Sequence, residues 1–287
     1  MPGVLEREAA SLFTTAIFRP VVEGRDPQRA NGLVAKLQSS LGLHRKAENQ
    51  AVVCAAYDLL CREYRSEYFY KNLIANKIFI GRHRAVNSVL IPEFRIYGSV
   101  ADCVFVNGEA TVYEIKTEFD SPEKLERQLD SYYRAFSRVN VVAHHRHVDR
   151  YLGLLQDTPT GLIKVGQRQR LSVVKEAVPS SASLDVKAMF DSLRLREVTA
   201  ILSRKFGSAP DVPNGLRYST FLDAAQHIPV EIFQQEMRRE LKARSIQNCR
   251  TLMLDKTSAP LSALLVQLDP DAKQQRNLLG WLASKER

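Results

Sequence analysis

Val100-Ala101-Asp102-Cys103-Val104-Phe105-Val106-Asn107-Gly108-Glu109-Ala110-Thr111-Val112-Tyr113-Glu114-Ile115-Lys116-Thr117 is the stretch on which the fold turns. Two runs of β-branched and aromatic residues flank Asn107-Gly108, a dipeptide that reverses strands, so the pattern predicts an antiparallel hairpin. Glu114 and Lys116 are two apart and therefore leave one face of the second strand. A simple two-residue turn would pair Asp102 with Tyr113 and aim Asp102 away from Glu114. A shared site therefore requires an odd loop, with Gly108 at positive φ in a three-residue turn, or a bulge further along either strand. Charges inside apolar strands are costly unless they meet partners, which favours convergence of Asp102, Glu114 and Lys116. Two carboxylates offer hard oxygen ligands suited to Mg²⁺ or Mn²⁺, and a neighbouring lysine can hold an attacking water or offset charge on a phosphate.

Outward from the hairpin, apolar residues from Val52 to Ile74 recur at intervals of three and four, which predicts a long, kinked amphipathic helix over about residues 48–80. Glu67 projects from it, and its aromatic neighbours Tyr64, Tyr68, Phe69 and Tyr70 argue that it faces inward, ahead of its rivals Glu63 and Glu93. Residues 88–96 form a strand before the hairpin. Ser121-Pro122 opens a helix to about Ser137, with serine as cap and Glu123 and Glu126 near its positive end. Gln128 and Tyr132 are four apart and share a face of that helix. Residues 139–143 form a buried strand, and strand, helix and strand in succession imply a mixed sheet. Residues 161–165 and 171–175 suit a closing hairpin.

In this order of elements, Asp102 with Glu114-Ile115-Lys116 resembles the signature of the PD-(D/E)XK nuclease superfamily. Gln128 and Tyr132 resemble the Gln-x-x-x-Tyr motif of its RecB-like branch, and Glu67 falls where the superfamily carries an acid on its first helix. The resemblance covers residues 48–176, without a proline before Asp102, and extends to a bacterial group with a helical C-terminal region. It implies an α/β, restriction-endonuclease-like core with a mixed central sheet flanked by helices. It also implies a Mg²⁺- or Mn²⁺-dependent nuclease acting on DNA, in defence against foreign DNA or in DNA processing. Asp102, Glu114 and Glu67 would bind metal, Lys116 would assist the water, and Gln128 and Tyr132 would position water or substrate. The alternatives are a catalytically silent nucleic-acid-binding or regulatory protein, or an interaction subunit, on the same fold.

The expected domains are an N-terminal helical extension over residues 1–47, the nuclease-like core over 48–178 and a C-terminal helical domain over 184–287. Pro179-Ser180-Ser181-Ala182-Ser183 would be the linker. The helical domain is the candidate surface for a protein partner, and its basic helix Met237–Arg244 suits nucleic acid or an amphipathic bundle face equally.

The net charge of +9 favours a polyanionic partner only modestly, because it is spread along the chain. Basic against acidic residues number 7 against 6 over residues 1–60, 18 against 14 over 61–180 and 16 against 12 over 181–287. No apolar run reaches the ~18 residues of a membrane span, and Glu6 and Glu8 precede any hydrophobic stretch, so a cytoplasmic protein without a signal peptide is expected. Cys54, Cys61, Cys103 and Cys249 lack metal-site spacing and read as reduced core residues. In a strand, His144 and His145 would face opposite sides, and with His147 they find no fourth ligand, which disfavours zinc. Arg82-His83-Arg84 with Lys71 and Lys77 suits a backbone phosphate.

Overall fold

The hairpin supplies the second and third strands of a six-stranded mixed sheet in the computed structural model, which describes residues 2–81, 88–244 and 248–285. The strands are β1 (Val89–Ile96), β2 (Ser99–Asn107), β3 (Glu109–Lys116), β4 (Arg138–His144), β5 (Gly161–Val165) and β6 (Leu171–Lys175). They lie in chain order, with β3, β4 and β5 parallel and the remaining pairs antiparallel. The protein is thus α/β with a mixed open sheet, as its sequence pattern requires. Arg82-His83-Arg84 lies outside the described residues.

By contacts the chain divides into two units, Met1–Val86 with Ile246–Arg287, and Asn87–Ser245. This partition differs from the linear one expected from sequence. The first unit is helical: α1 (Val4–Leu12), α2 (Thr15–Glu23), α3 (Gln28–Ser40), α4 (Asn49–Arg62) and α5 (Glu67–Ile74), the last continuing as a π-helix over Ala75–Ile80. The second unit carries α6 (Leu125–Tyr133), α7 (Val148–Leu155), α8 (Val186–Ser192), α9 (Leu195–Phe206), α10 (Asn214–Gln226) and α11 (Val230–Ala243). Helices α12 (Arg250–Leu254), α13 (Ser262–Leu268) and α14 (Ala272–Ala283) return to the first unit.

The anticipated C-terminal helical domain is therefore shared between the two. Helices α8 to α11 join the sheet because their apolar stripes, including Met189, Ile201, Phe233 and Met237, enter one buried cluster with Phe94, Val104 and Leu129. The anticipated linker is hydrogen-bonded near its start, Ser180 N to the Ser137 carbonyl at 2.8 Å, and just beyond its end Asp185 N bonds the Arg134 carbonyl at 2.9 Å. In the first unit, fully buried Asn72 ties α5 to α13. Its amide donates to the Ala259 carbonyl at 2.8 Å and its oxygen accepts from Ala263 N at 2.9 Å.

Local chemistry fixes the element ends that matter for the site. Ser121 caps as expected, accepting from Glu123 N at 3.3 Å, and Pro122 opens a short 3₁₀ turn that leads into α6. The long helix expected over residues 48–80 is broken between Arg62 and Glu67, which puts Glu67 in the first turn of α5 rather than mid-helix. Gly108 has φ of +72° in a turn where Asn107 faces Glu109 and Val106 faces Ala110. That is the odd loop the shared site demanded, and glycine takes the left-handed conformation without penalty.

Candidate active site

Register carries Asp102 to the hairpin's working end. The β2/β3 pairing ends at Cys103 opposite Tyr113, and one further step sets Asp102 opposite Glu114. There the strands separate. In place of a ladder bond, Asp102 Oδ2 accepts the Ile115 amide at 2.6 Å.

Both β1 and β2 change face at this rung. On β2, Val104 and Val106 belong to the buried cluster and so does Ala101, three residues from Val104, although strict alternation would put Ala101 on the opposite face. On β1, Val89 and then Phe94 and Ile96 belong to it, and Glu93 between them has φ of +51°. Pro92 pairs with Cys103 and Phe94 with Ala101, so Glu93 and Asp102 are bracketed on one rung. A non-glycine residue held at positive φ is stored strain of the kind that gathers at functional sites.

Glu114 is the hub. It is 3% exposed, and both its oxygens are held. Lys116 Nζ donates to its Oε1 at 2.9 Å, Gln128 Nε2 donates to the same oxygen at 2.6 Å, and Tyr132 Oη donates to Oε2 at 2.6 Å. Lys116 Nζ also donates to Gln128 Oε1 at 2.7 Å, closing a ring of Glu114, Lys116 and Gln128. Tyr132 Oη additionally lies 3.0 Å from the Val100 carbonyl, tying α6 to the strand that carries Asp102. Burial raises the Tyr132 phenol far above its ordinary range, and the negative charges of Glu114 and Asp102 raise it further, so it stays protonated and can donate to Glu114.

Five of the six candidates thus meet: Asp102, Glu114, Lys116, Gln128 and Tyr132. Glu67 belongs to the first unit and, contrary to the inward orientation expected, is exposed, with its carboxylate 2.6 Å from Lys71 Nζ. The helix break explains this, since a carboxylate in a first turn is favoured by the helix dipole and by a lysine four residues on.

Two further neighbours, Asp120 and Tyr151, escaped the sequence reading, and His147 entered it only as a candidate zinc ligand. Asp120 Oδ2 accepts the Thr117 amide at 2.7 Å and turns the chain after β3, a side-chain turn that the three-residue spacing could have signalled. His147 Nε2 lies 3.1 Å from the Glu118 carbonyl. On α7, whose buried Val148, Tyr151 and Leu155 follow helical spacing, the Tyr151 hydroxyl has no hydrogen-bond partner among the described residues. Burial raises its phenol, with smaller contributions from Asp120 and Glu114. The expected opposition of His144 and His145 does not occur. The strand ends at His144, and the following 3₁₀ turn brings the two rings to 4.2 Å.

The donor set can be weighed against a divalent cation. Mg²⁺ takes oxygen ligands and commonly uses only one or two protein carboxylates, completing its shell with water and phosphate, which suits opposed Asp102 and Glu114. Among the described residues no group of three or more His, Cys, Asp or Glu side chains is arranged to hold a metal. The Lys116 ammonium holds a Glu114 oxygen that a cation would take.

In a comparison with protein families, residues 61–261 match the family described as Bacteriophage P4 protein cII. The match spans most of the chain, and the chain belongs to that family. No curated protein and no solved structure matches it. Among the described residues no helix is long and apolar enough to cross a membrane.

Proposed function

We propose that this member of the Bacteriophage P4 protein cII family is a metal-dependent phosphodiesterase, a nuclease acting on DNA in the cytoplasm, built on a restriction-endonuclease-like core. The observation that carries the reading is the convergence of Lys116, Gln128 and Tyr132 on the Glu114 carboxylate, opposite Asp102. The order β1, β2, β3, α6, β4 with β3 and β4 parallel supports the resemblance to the PD-(D/E)XK superfamily.

Asp102 and Glu114 would hold Mg²⁺ or Mn²⁺, which when bound supplies Lewis-acid polarisation of a phosphodiester. Gln128 and Tyr132 keep the Glu114 carboxylate oriented, so little reorganisation is required at the moment of reaction. Lys116, once released from Glu114, offers a compact positive charge to the phosphate or to the attacking water. Glu67 is left out of this set because Lys71 holds its carboxylate.

A second reading, a catalytically silent nucleic-acid-binding or regulatory protein, is favoured by one observation. The ring is closed, and both Glu114 oxygens already have internal donors. Incubation with labelled single- and double-stranded DNA and RNA in Mg²⁺, Mn²⁺ or EDTA separates the two. Cleavage that needs metal, is lost in Asp102→Asn and falls at least a hundredfold in Lys116→Ala supports the nuclease. Salt-sensitive DNA binding with no cleavage supports the silent reading.

A further inference from the structure

We propose that a cavity in the second unit, walled by α8, α9 and α10, is a binding site for a small amphipathic anion, an apolar molecule bearing one carboxylate. The proposal is independent of the phosphodiesterase reading.

The cavity measures about 520 Å³, within the range of sites that enclose small molecules. Its wall is apolar, from Phe190, Leu193, Leu195, Val198 and Phe221. Asp191, Asn214, Arg217 and Tyr218 add polar or charged side chains to the lining, and they are not equivalent. Asp191 is neutralised from within, its carboxylate 2.6 Å from Lys187 Nζ and accepting the Tyr218 hydroxyl at 2.8 Å. Asn214 and Arg217 make no hydrogen bond or ion pair among the described residues. The cavity therefore presents one uncompensated positive charge and one amide.

The position of that charge is what calls for an anion. Asn214 begins α10, the preceding Pro213 provides no side-chain cap, and the first turn holds no acidic residue. Amides at a helix start lack intrahelical partners and carry the positive end of the helix dipole. A cation in the opening turns is unfavourable, so half-buried Arg217 serves no purpose in α10 alone. A carboxylate in the cavity would satisfy the Asn214 side chain and the Arg217 fork together, while its apolar body lies against the phenylalanines.

Decanoate and its uncharged counterpart decanol are the probes, titrated as monomers into the full chain by calorimetry, with ¹³C-methyl NMR of the leucines and valines. Decanoate should bind more tightly than decanol, and both should shift the methyl signals of Leu193, Leu195 and Val198. Arg217→Gln should weaken decanoate about tenfold, the loss of one charge-assisted contact, and leave decanol unchanged. Removing the cation from the helix start should leave the melting temperature equal or higher, which also shows that the variant folds. Leu195→Trp, at a half-exposed lining position, should block both probes. Equal decanoate affinity in Arg217→Gln, or absent methyl shifts, overturns the proposal. So does an acidic amphipathic helical peptide that shifts these methyls where decanoate does not, since that would make the cavity a protein-docking groove.

Discussion

Replacing Lys116 with Met nearly keeps the length of the side chain and removes the one cation that, among the described residues, touches Glu114. The pair is 2.9 Å apart with side chains 7% and 3% exposed, so water cannot replace the lost partner. Breaking such a buried pair costs about 3–5 kcal/mol. Here Gln128 and Tyr132 still donate to the carboxylate, which puts the expected loss at the lower end, about 3 kcal/mol. Urea unfolding followed by far-UV circular dichroism would then show the midpoint fall by about 1 M or more. Glu114→Gln should also destabilise, because it leaves the ammonium buried. The double variant should lose less than the sum of the two by at least about 1 kcal/mol, the signature of direct coupling. Removal of the ammonium also opens the Glu114 oxygen to a cation, so Mg²⁺ should restore part of the stability of Lys116→Met. A midpoint change below about 0.3 M, or strict additivity in the double variant, would refute the view of Glu114 and Lys116 as a mutually dependent buried pair.

Arg244 holds Glu197 through two hydrogen bonds of 2.7 and 2.6 Å. Burial pushes the Glu197 carboxyl up, but the guanidinium and the Arg194 amide outweigh it and hold the group below its ordinary 4.5. A depressed carboxyl stabilises the fold above its unfolded value and loses that contribution as pH falls through its folded value. Arg244→Leu should therefore cost about 3 kcal/mol at pH 7 and progressively less below about pH 4.5, read by urea unfolding across pH; a pH-independent deficit would contradict this. At Gly161, an added Cβ would overlap the Asn140 side-chain oxygen and lie 2.8 Å from Ala177 N, so Gly161→Ala should lower stability by about 1–3 kcal/mol. Glu93→Gly should be more stable than Glu93→Ala by about 1 kcal/mol in the same assay, because both lose the side chain and only glycine relieves the positive φ. Equal stability of the two variants would show that the backbone at Glu93 is not strained.

The sheet was legible because its signals are local. Alternation and a turn dipeptide specify the hairpin, and residues 161–165 and 171–175 form strands with the predicted limits. The same alternation required an odd loop at Gly108, and the register bears this out. What escaped was long-range. The stripe on α8 to α11 announces that these helices bury a face, but periodicity cannot say against which surface, and they chose the sheet over a bundle of their own. Helix boundaries inside the expected helical domain were hidden for a related reason: Leu193-Arg194 separates α8 from α9 without a proline or glycine to mark it. Helix α7 was hidden by its length of 8 residues and by the basic His145-Arg146-His147 start.

Within the site, the spacing of Glu114, Lys116, Gln128 and Tyr132 sufficed because a strand pair and a helix pair each fix a face, and β3 leads directly into α6. Asp102 needed more than spacing. In an unbroken β2 its side chain would share a face with Val104 and its backbone neighbours would stay in the ladder with β3. Instead the face changes between Ala101 and Val104, β1 changes with it at Glu93, and the Asp102 carboxylate takes the Ile115 amide that a strand partner would otherwise satisfy. The left-handed backbone at Glu93 is the local cost of that release, and it falls on the rung that carries the first carboxylate. On the metal-dependent reading proposed above, that strain is what frees the Asp102 carboxylate to stand opposite Glu114, so the deformation of β1 and β2 and the pairing of the two carboxylates belong to one local arrangement.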